Sequence, residues 1–206
     1  ATRKNQDVKK VSFMNVPSFV YEKDLHVDTR GYGRINFDIA FGGAFYAYIN
    51  AEEIGLEINK SNHNEFVKAG REIKNEISKK YDIKHPFEED LSFLYGTIFV
   101  GPPSKPENHS SNVCVFADGE VDRSPTGTGV SGRAALLYSK GELRKNEPIR
   151  IESIIGTTFE VEVVDTTNYD EYEAVIPKVT GSAYITGKGR FCFDPDDPLK
   201  DGFMLR

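Results

Sequence analysis

The chain has 206 residues and a net charge of −6, with 32 acidic and 26 basic residues interspersed along it. This length is enough for one domain with a hydrophobic core and does not by itself require two. The sequence has no basic patch, no cationic amphipathic stretch and no apolar run of membrane-spanning length, and its two cysteines lie too far apart for a disulfide framework. We therefore expect neither a nucleic acid nor a membrane as partner, and a reducing, cytoplasmic location.

The first fifty residues are typical of short β-strands separated by glycines. β-Branched and aromatic residues cluster in several segments, and Gly31 and Gly33 mark a turn between two of them. Gly42 and Gly43 separate two apolar runs, which predicts two strands or one sharply bent strand. The predicted strand segments are residues 11–13, 18–21, 25–27, 34–41 and 45–49.

A first helix is predicted over residues 64–81, because apolar residues recur there at helical spacing while lysines and glutamates occupy the other positions. The apolar face consists of Phe66, Gly70, Ile73, Ile77 and Tyr81. Asn62, followed three positions later by Glu65, resembles a capping box and predicts the start of the helix.

A second helix is predicted after Gly129, ending near Gly141. Val130, Ala134 and Leu137 would share one face of it. After this helix, runs of β-branched residues separated by glycines and polar stretches predict further strands. These segments are residues 150–155, 158–164, 174–179 and 183–186.

The most informative segment is residues 122–129, which reads DRSPTGTG. It comes directly before the second helix, and a helix N-terminus can hold a small anion through unpaired N–H groups and partial positive charge. Gly127 and Gly129 let the backbone approach such an anion. The Asp122 carboxylate suits a cation, and the Thr126 hydroxyl can donate or accept a hydrogen bond. A zwitterionic amino acid fits this combination.

The same segment also has a purely structural interpretation. Asp, Ser, Pro, Thr and Gly are ordinary turn and N-cap residues, so Thr126 or Thr128 could serve only to cap the helix. Local chemistry leaves both interpretations open.

Several long segments, in a fixed order, resemble the proline racemase family. The block at residues 112–143, NVCVFADGEVDRSPTGTGVSGRAALLYSKGEL, is similar to the second catalytic segment of that family. Before it come NVPSFV and GYGRINFDIAFGGAFYA, and after it come ESIIGTTFE, PKVTGSAYITG and DPDDPLKDGF, which are similar to further family signatures. The resemblance therefore covers almost the whole chain.

Two departures from the family pattern bear on activity. Racemases and hydroxyproline epimerases of the family carry a cysteine where this chain has Thr126, and the threonine resembles that of trans-3-hydroxy-L-proline dehydratases. The upstream MCGH-type segment, which carries the other catalytic cysteine, does not occur in this sequence. Cys114 and Cys192 fall outside the catalytic positions, and Cys114, within an apolar run, is expected to be a small buried hydrophobe.

The resemblance implies an α+β fold with mostly antiparallel strands around a central helix. The chain would be one of the two domains of a diaminopimelate-epimerase-like fold. Residues 1–190 would form the second, C-terminal domain, and residues 191–206 a tail that packs on the missing N-terminal domain. In that fold two domains face each other across a cleft, and each places one helix N-terminus in it.

For the complete enzyme, the resemblance implies cofactor-independent chemistry at the α-carbon of a proline derivative, with no metal. We expect dehydration of trans-3-hydroxy-L-proline to pyrroline-2-carboxylate, with Thr126 as the catalytic residue facing the leaving hydroxyl. Asp122 would bind the ring nitrogen, and the Gly127 and Thr128 amides the carboxylate. The expected partners are a proline or hydroxyproline substrate and the N-terminal half of the same enzyme, and a homodimer stays open.

Two other interpretations stay open at this point. A proline racemase or 4-hydroxyproline epimerase would need another group to replace the missing thiol, because the Thr126 hydroxyl is a far weaker acid. Half a cleft without the opposite base would be an inactive fragment that only binds ligand.

Several other residues have two interpretations each. Phe45 and Tyr46 either contact the substrate ring or belong to the core. Arg123 either pairs with the substrate carboxylate or braces the neighbouring aspartate. His109 is the one histidine close enough to the motif to border the cleft, and otherwise it is a surface residue.

Overall fold

The computed structural model describes residues 2–4 and 7–203, with side chains from Lys10 onward. This part of the chain contains eleven β-strands and two α-helices, joined by turns and short 3₁₀ helices. The helices are α1 (His63–Lys80) and α2 (Gly127–Ser139). The strands are β1 (Thr2–Lys4), β2 (Asp7–Met14), β3 (Ser18–Thr29), β4 (Gly33–Phe41), β5 (Phe45–Asn50), β6 (Leu94–Gly101), β7 (Ser110–Phe116), β8 (Glu120–Val121), β9 (Ile149–Ser153), β10 (Thr158–Tyr169) and β11 (Tyr172–Gly181).

Eight of these strands close into a barrel. The hydrogen-bonded order is β11, β10, β9, β7, β6, β5, β4 and β3, and β3 then pairs with β11 where Phe19 lies opposite Ala174. β2 pairs with β11 along the same edge that β3 contacts, but nearer the C-terminal end of β11. β1 pairs with β2, and β8 pairs with β7. Closure pairs both edges of each barrel strand and so protects their backbone groups.

Two pairs in the barrel, β5 with β6 and β7 with β9, are parallel, and the others are antiparallel. Parallel neighbours need a long crossover connection, usually a helix. α1 supplies the crossover from β5 to β6, and α2 lies between β7 and β9. The predicted α+β fold with mostly antiparallel strands is confirmed.

Helix α2 lies at the centre of the barrel, as predicted. Each residue from position 129 to 137 is buried, and the helix contacts β3, β4, β5, β10 and β11. The barrel approaches this helix very closely at Gly42, where an added Cβ would lie 2.2 Å from the Thr128 carbonyl oxygen. No side chain larger than hydrogen fits between the end of β4 and the first turn of α2.

Helix α1 packs on the opposite face of β6. There Phe99 contacts Phe66 of α1, whereas the adjacent Ile98 reaches the backbone of α2 at Gly129. The predicted apolar face of α1 is correct for Phe66, Gly70, Ile73 and Ile77, which are buried. None of the helices among the described residues is long and apolar enough to cross a bilayer.

The predicted capping box of α1 is wrong. Asn62 is the N-cap residue, but its side chain makes no capping bond and instead donates to the Glu57 carbonyl over 2.8 Å. Residues 60–62 form a 3₁₀ turn that leads straight into the helix, and the Asn59 side chain caps that turn. The local turn therefore replaces the cap that the sequence pattern predicts.

Other predicted boundaries also differ from the structure. Residues 18–21 and 25–27 belong to a single strand, β3, and β6 has no counterpart among the predicted strands. α2 begins at Gly127 rather than after Gly129. Residues 183–186 are exposed and form no strand, because no described strand lies beside them to pair with.

Residues 182–203 continue from the barrel without a helix or strand. Their hydrogen bonds are local turns, such as that from the Lys200 amide to the Asp197 carbonyl. Large apolar side chains of this segment are 56% to 87% exposed: Tyr184, Ile185, Phe191, Phe193, Leu199 and Phe203. The described tail therefore adds nothing to the barrel core. The predicted segment limits at residues 1 and 206 lie outside the described residues.

Candidate active site

The DRSPTGTG segment lies at one end of the barrel, where α2 begins. A pocket of about 390 Å³ opens there. It is lined by Phe13, Tyr46, Tyr95, Phe116, Asp122, Thr126, Gly127 and Thr128. The structure thus brings all four residues predicted from the sequence, Asp122, Thr126, Gly127 and Thr128, to one pocket. Two larger grooves elsewhere, of about 460 and 800 Å³, contain no residue of this segment.

Thr126 precedes α2 in a strained backbone conformation. Its φ of 69° and ψ of 112° fall in a region that β-branched residues seldom adopt. Its amide donates to Ser124 Oγ over 3.1 Å, and its carbonyl accepts from the Val130 amide over 2.8 Å. The hydroxyl donates to Asp122 Oδ2 over 2.9 Å and makes no capping bond. Thr126 is therefore the N-cap by position, but its hydroxyl is held at the pocket by Asp122.

Asp122 organises the loop through both carboxylate oxygens. Oδ1 accepts a 2.7 Å hydrogen bond from the Ser124 amide, and Oδ2 accepts the bond from Thr126. The carboxylate is half-buried and lines the pocket. Each oxygen keeps a further lone pair. A cationic group entering the pocket would thus meet a carboxylate that is already oriented.

The first turn of α2 presents backbone amides at the pocket. Among the described residues, none accepts a hydrogen bond from the amides of Gly127, Thr128 or Gly129. Gly127 and Thr128 line the pocket, and their N–H groups can bind a small anion. Gly129 is buried below them, where an added Cβ would lie 2.5 Å from Ile98 Cδ1. Its missing side chain makes room for Ile98 rather than for a ligand.

Side chains from outside the motif fix this first turn. The Ser131 hydroxyl donates to the Gly127 carbonyl over 2.8 Å. Asn15 Nδ2 in turn donates to Ser131 Oγ over 2.7 Å and to the Gly42 carbonyl over 2.8 Å. Asn15 therefore ties the β4–β5 turn to the start of α2, so that the pocket amides are held in place before any ligand binds.

Aromatic side chains form the apolar wall of the pocket. The Tyr95 ring stacks on Phe116, with centroids 5.6 Å apart, and meets Tyr46 edge to face at 5.8 Å. Tyr46 is 1% exposed, and its hydroxyl lies 2.9 Å from Thr128 Oγ1. Burial raises the pKa of Tyr46 above its ordinary value, so this side chain stays a neutral phenol. The wall suits the apolar face of a small ring.

Two alternative roles, contact with the substrate ring and packing in the core, are predicted for Phe45 and Tyr46. In the structure, each of these residues occupies the place of a different role. Successive side chains of a strand point to opposite faces. Tyr46 lines the pocket, whereas Phe45 is buried in the core on the other side of the sheet and packs against Phe41, with the ring centroids 4.9 Å apart.

Neither cysteine supplies a thiol to the pocket. Cys114, on β7, is buried and does not line it. Burial raises the pKa of the Cys114 thiol to about 12. Cys192 is exposed in the tail. Cys114 is therefore the small buried hydrophobe that the sequence predicts.

Arg123 and His109 do not line the pocket. Arg123 is exposed, and its carbonyl accepts a 2.6 Å hydrogen bond from the Thr157 hydroxyl. No described ion pair joins Arg123 to Asp122. His109 is exposed, with Nδ1 2.9 Å from Ser110 Oγ. Over the described part of the chain, no group of three histidines, cysteines or carboxylates is placed to hold a metal ion.

Comparison with protein-family models assigns the chain to a family. The model described as proline racemase matches residues 1–204. The chain belongs to the proline racemase family. Within it, the chain is 50% identical over 202 residues to the trans-3-hydroxy-L-proline dehydratase of Colwellia psychrerythraea, which covers 98% of this chain and 57% of that protein. It is 43% identical over 198 residues to the proline racemase of Clostridioides difficile, covering 96% of this chain and 59% of that protein.

A solved structure supports the same assignment. The hydroxyproline epimerase of Agrobacterium vitis, with bound trans-4-hydroxy-L-proline, superposes with a TM-score of 0.89 at 34% identity, covering 100% of this chain and 58% of that structure. The chain thus spans about three-fifths of the length of the proline racemase family members that it matches.

The sequence did not predict four residues of the site. Phe13, Tyr95 and Phe116 line the pocket, and Asn15 holds the first turn of α2 through Ser131. Phe116 ends β7, a few residues before the motif, which is a weak local signal. Phe13 and Asn15 lie more than a hundred positions from the motif in the sequence. Only the pairing of β2 with β11, next to α2, brings that segment to the pocket.

Proposed function

We propose that the complete enzyme removes water from trans-3-hydroxy-L-proline and releases pyrroline-2-carboxylate. The observation that carries this proposal is the Thr126 hydroxyl, which Asp122 fixes at the pocket beside the N-terminus of α2. The resemblance implies that a racemase has a cysteine at this position. Identities of 50% and 46% to trans-3-hydroxy-L-proline dehydratases of Colwellia psychrerythraea and Bacillus cereus support the choice of substrate.

The substrate binds as a zwitterion in this proposal. Asp122 accepts hydrogen bonds from the protonated ring nitrogen, because both carboxylate oxygens have lone pairs left at the pocket. The Gly127 and Thr128 amides hold the carboxylate at the positive end of the α2 dipole. The ring then lies against Tyr95 and Phe116.

The chemical step breaks two bonds of the substrate. A base on the N-terminal half takes the α-proton, and the electron pair left at Cα forms a double bond to C3 as the C3–O bond breaks. The protonated base then gives this proton to the leaving hydroxyl, which departs as water. The α2 amides stabilise the negative charge that develops on the carboxylate as Cα loses its proton.

Thr126 assists the leaving oxygen. In the free site its proton points to Asp122, so its own lone pairs face the pocket and can accept a bond from the 3-hydroxyl. Once the ring nitrogen occupies Asp122, the Thr126 proton is free to turn to the departing oxygen. A threonine suffices for this task, whereas returning a proton to the opposite face of Cα requires a stronger acid.

We further propose that residues 1–190 are the second domain of the complete enzyme and that residues 191–206 are a tail that packs on the N-terminal half. The exposed Phe191 and Phe193 of the tail, and the half-exposed Phe13 at the pocket rim, support a covering partner. The free thiols Cys114 and Cys192 support a cytoplasmic location. A homodimer of complete enzymes stays open.

The test is a substrate panel for the full-length enzyme: trans-3-hydroxy-L-proline, trans-4-hydroxy-L-proline and L-proline in D₂O, followed by NMR. We expect pyrroline-2-carboxylate from the first substrate and no inversion at Cα of the other two. Efficient conversion of L-proline to D-proline, with trans-3-hydroxy-L-proline left intact, would refute the assignment.

A racemase or epimerase is the alternative function. The 43% identity to the Clostridioides difficile proline racemase, and the fold shared with the Agrobacterium vitis epimerase, favour it. It requires a second acid at the pocket, and no described thiol lines the pocket. The same panel separates the two functions, because inversion without loss of water occurs only in the alternative.

A further inference from the structure

The orientation of the Pro125 carbonyl depends on the backbone conformation of Thr126. It belongs to the planar peptide unit between Pro125 and Thr126, so its direction is coupled to the φ angle of Thr126. That φ is 69°, a strained value for a threonine, which persists only where the surroundings hold it. Pro125 is buried, and a buried carbonyl needs a hydrogen-bond donor.

The donor is Asn112 on β7. Its Nδ2 lies 3.4 Å from the Pro125 carbonyl oxygen, a long hydrogen bond, and no other described group donates to that oxygen. Asn112 is 0% exposed. No water therefore reaches its side chain to replace a lost partner, and the direction of the Asn112 amide matters.

Arg133 of α2 sets that direction. Its Nη1 donates to Asn112 Oδ1 and also, over 3.4 Å, to the Ser111 carbonyl. A guanidinium can only donate, so Asn112 must turn its oxygen to Arg133 and its NH₂ group to Pro125. Arg133 is 6% exposed and takes part in no ion pair among the described side chains. Burial lowers the pKa of Arg133 to about 10, so it stays charged at neutral pH.

We propose that Asn112 is a positioning residue, oriented by Arg133, which holds the Pro125 carbonyl and thereby keeps Thr126 strained with its hydroxyl in the pocket. The chain of contacts runs from the middle of α2, through β7, to the residue that faces the substrate. This inference rests on the proposed function, since it assigns a role to the support of Thr126.

The substitution Asn112→Asp separates positioning from plain stabilisation. Aspartate has the same shape and gives Arg133 a counter-charge, so the contact between α2 and β7 is kept or strengthened. It has no NH₂ group, and its oxygen would face the Pro125 carbonyl oxygen, so the contact that positions the loop is lost.

In the full-length enzyme we expect Asn112→Asp to lower kcat about 10- to 100-fold, the effect of a small displacement of a reacting group. The melting temperature should stay within about 3 °C of the wild type. Asn168→Asp, at an exposed position on β10, adds the same charge and should leave both values unchanged. An unchanged kcat in Asn112→Asp would overturn the proposal.

Arg133 provides a second pair of variants. Lysine is also a donor only, so Arg133→Lys should keep the Asn112 orientation and most of kcat. Methionine has similar length and no donor, so Arg133→Met should lower kcat as Asn112→Asp does. Equal activity of the two variants would contradict the proposal, even if Asn112→Asp failed to fold.

NMR of the full-length enzyme tests the geometry without turnover. Asn112→Asp should shift the backbone amides of Thr126, Gly127 and Thr128 while leaving those of α1 in place. Unshifted amides would refute positioning whatever the enzyme catalyses. A wild-type enzyme that fails to dehydrate trans-3-hydroxy-L-proline, combined with shifted amides, would instead refute only the proposed function.

Discussion

The Thr126 hydroxyl donates a 2.9 Å hydrogen bond to Asp122 Oδ2, so the two residues form one unit at the N-terminus of α2. The carboxylate fixes a side chain whose backbone is already strained at φ 69°. It also turns the lone pairs of the threonine toward the pocket. A substitution at either residue therefore alters the position of the other. In the complete enzyme, we expect substitutions of Asp122 and of Thr126 to have different effects on activity.

Asp122→Asn keeps the size of the side chain and removes its charge. We expect kcat/KM for trans-3-hydroxy-L-proline to fall about 100-fold or more, because the ring cation loses its counter-ion and the amide can point its NH₂ group at Thr126. Asp118→Asn, in the exposed turn after β7, is the matched control and should change nothing. Steady-state kinetics of the two variants measure the difference. Equal kcat/KM values would show that Asp122 does not bind the substrate.

Thr126→Cys places a thiol where the chain has a hydroxyl. We expect the variant to gain measurable inversion at Cα of proline or 4-hydroxyproline, since a thiol can return a proton to the opposite face. Exchange of the α-proton in D₂O and chiral analysis of the product give the readout. Thr126→Ser, the control, should keep dehydration and gain no inversion. A Thr126→Cys enzyme without any inversion would mean that the opposite base or the thiol geometry is missing.

Glu152, on β9, holds the loop between β6 and β7 and should make folding sensitive to acid. Its buried carboxylate accepts hydrogen bonds from the Ser104 amide and hydroxyl, the Lys105 amide and Asn108 Nδ2. Burial alone would raise its pKa, but these bonds outweigh it and lower the pKa from 4.5 to about 2. The folded-state pKa is thus the lower one, so the stabilisation is complete above about pH 4.5 and is lost as the pH falls toward 2.

The expected loss over that pH range is about 3 kcal/mol in the free energy of unfolding. Urea titrations at a series of pH values measure it. Glu152→Gln should be less stable at pH 7 and should lack this part of the acid dependence. A wild-type stability that does not change between pH 5 and about pH 2.5 would contradict the role of Glu152.

Gly42→Ala tests the contact between β4 and α2. The new Cβ would lie 2.2 Å from the Thr128 carbonyl oxygen, which belongs to rigid backbone. We expect a loss of about 3 kcal/mol in unfolding free energy, together with a displaced first turn of α2. Gly187→Ala, which meets nothing within 4 Å, is the control and should be neutral. Denaturant unfolding compares the two, and a neutral Gly42→Ala would show that the turn yields easily.

The sequence predicts the site well where all the information is local. DRSPTGTG places a carboxylate, a hydroxyl and two amides within seven positions, Asp122 to Thr128, and a helix follows at once. One turn of chain therefore suffices to bring them together, as the pocket lining shows. The apolar face of α1 could also be predicted from the sequence, because helical periodicity is a property of the segment itself.

Predictions from local sequence patterns are wrong, or stay undecided, where the structure depends on a contact with another segment. The Asn62–Glu65 capping box is absent because a preceding 3₁₀ turn takes its place, and residues 183–186 form no strand because none pairs with them. Tyr46 and Phe45 have the same local pattern. Which of them faces the pocket depends on the register of β5 against β4 and β6.

By itself, then, the sequence determined which chemical groups stand at the head of α2 and that Thr126 offers oxygen rather than sulfur. Only the tertiary structure decided that Asn15, Tyr95 and Phe116 complete the pocket, and that Asn112 supports it from below. The reason is that these contacts join strands distant in sequence, whose meeting is fixed by closure of the barrel and not by any short-range preference of the chain.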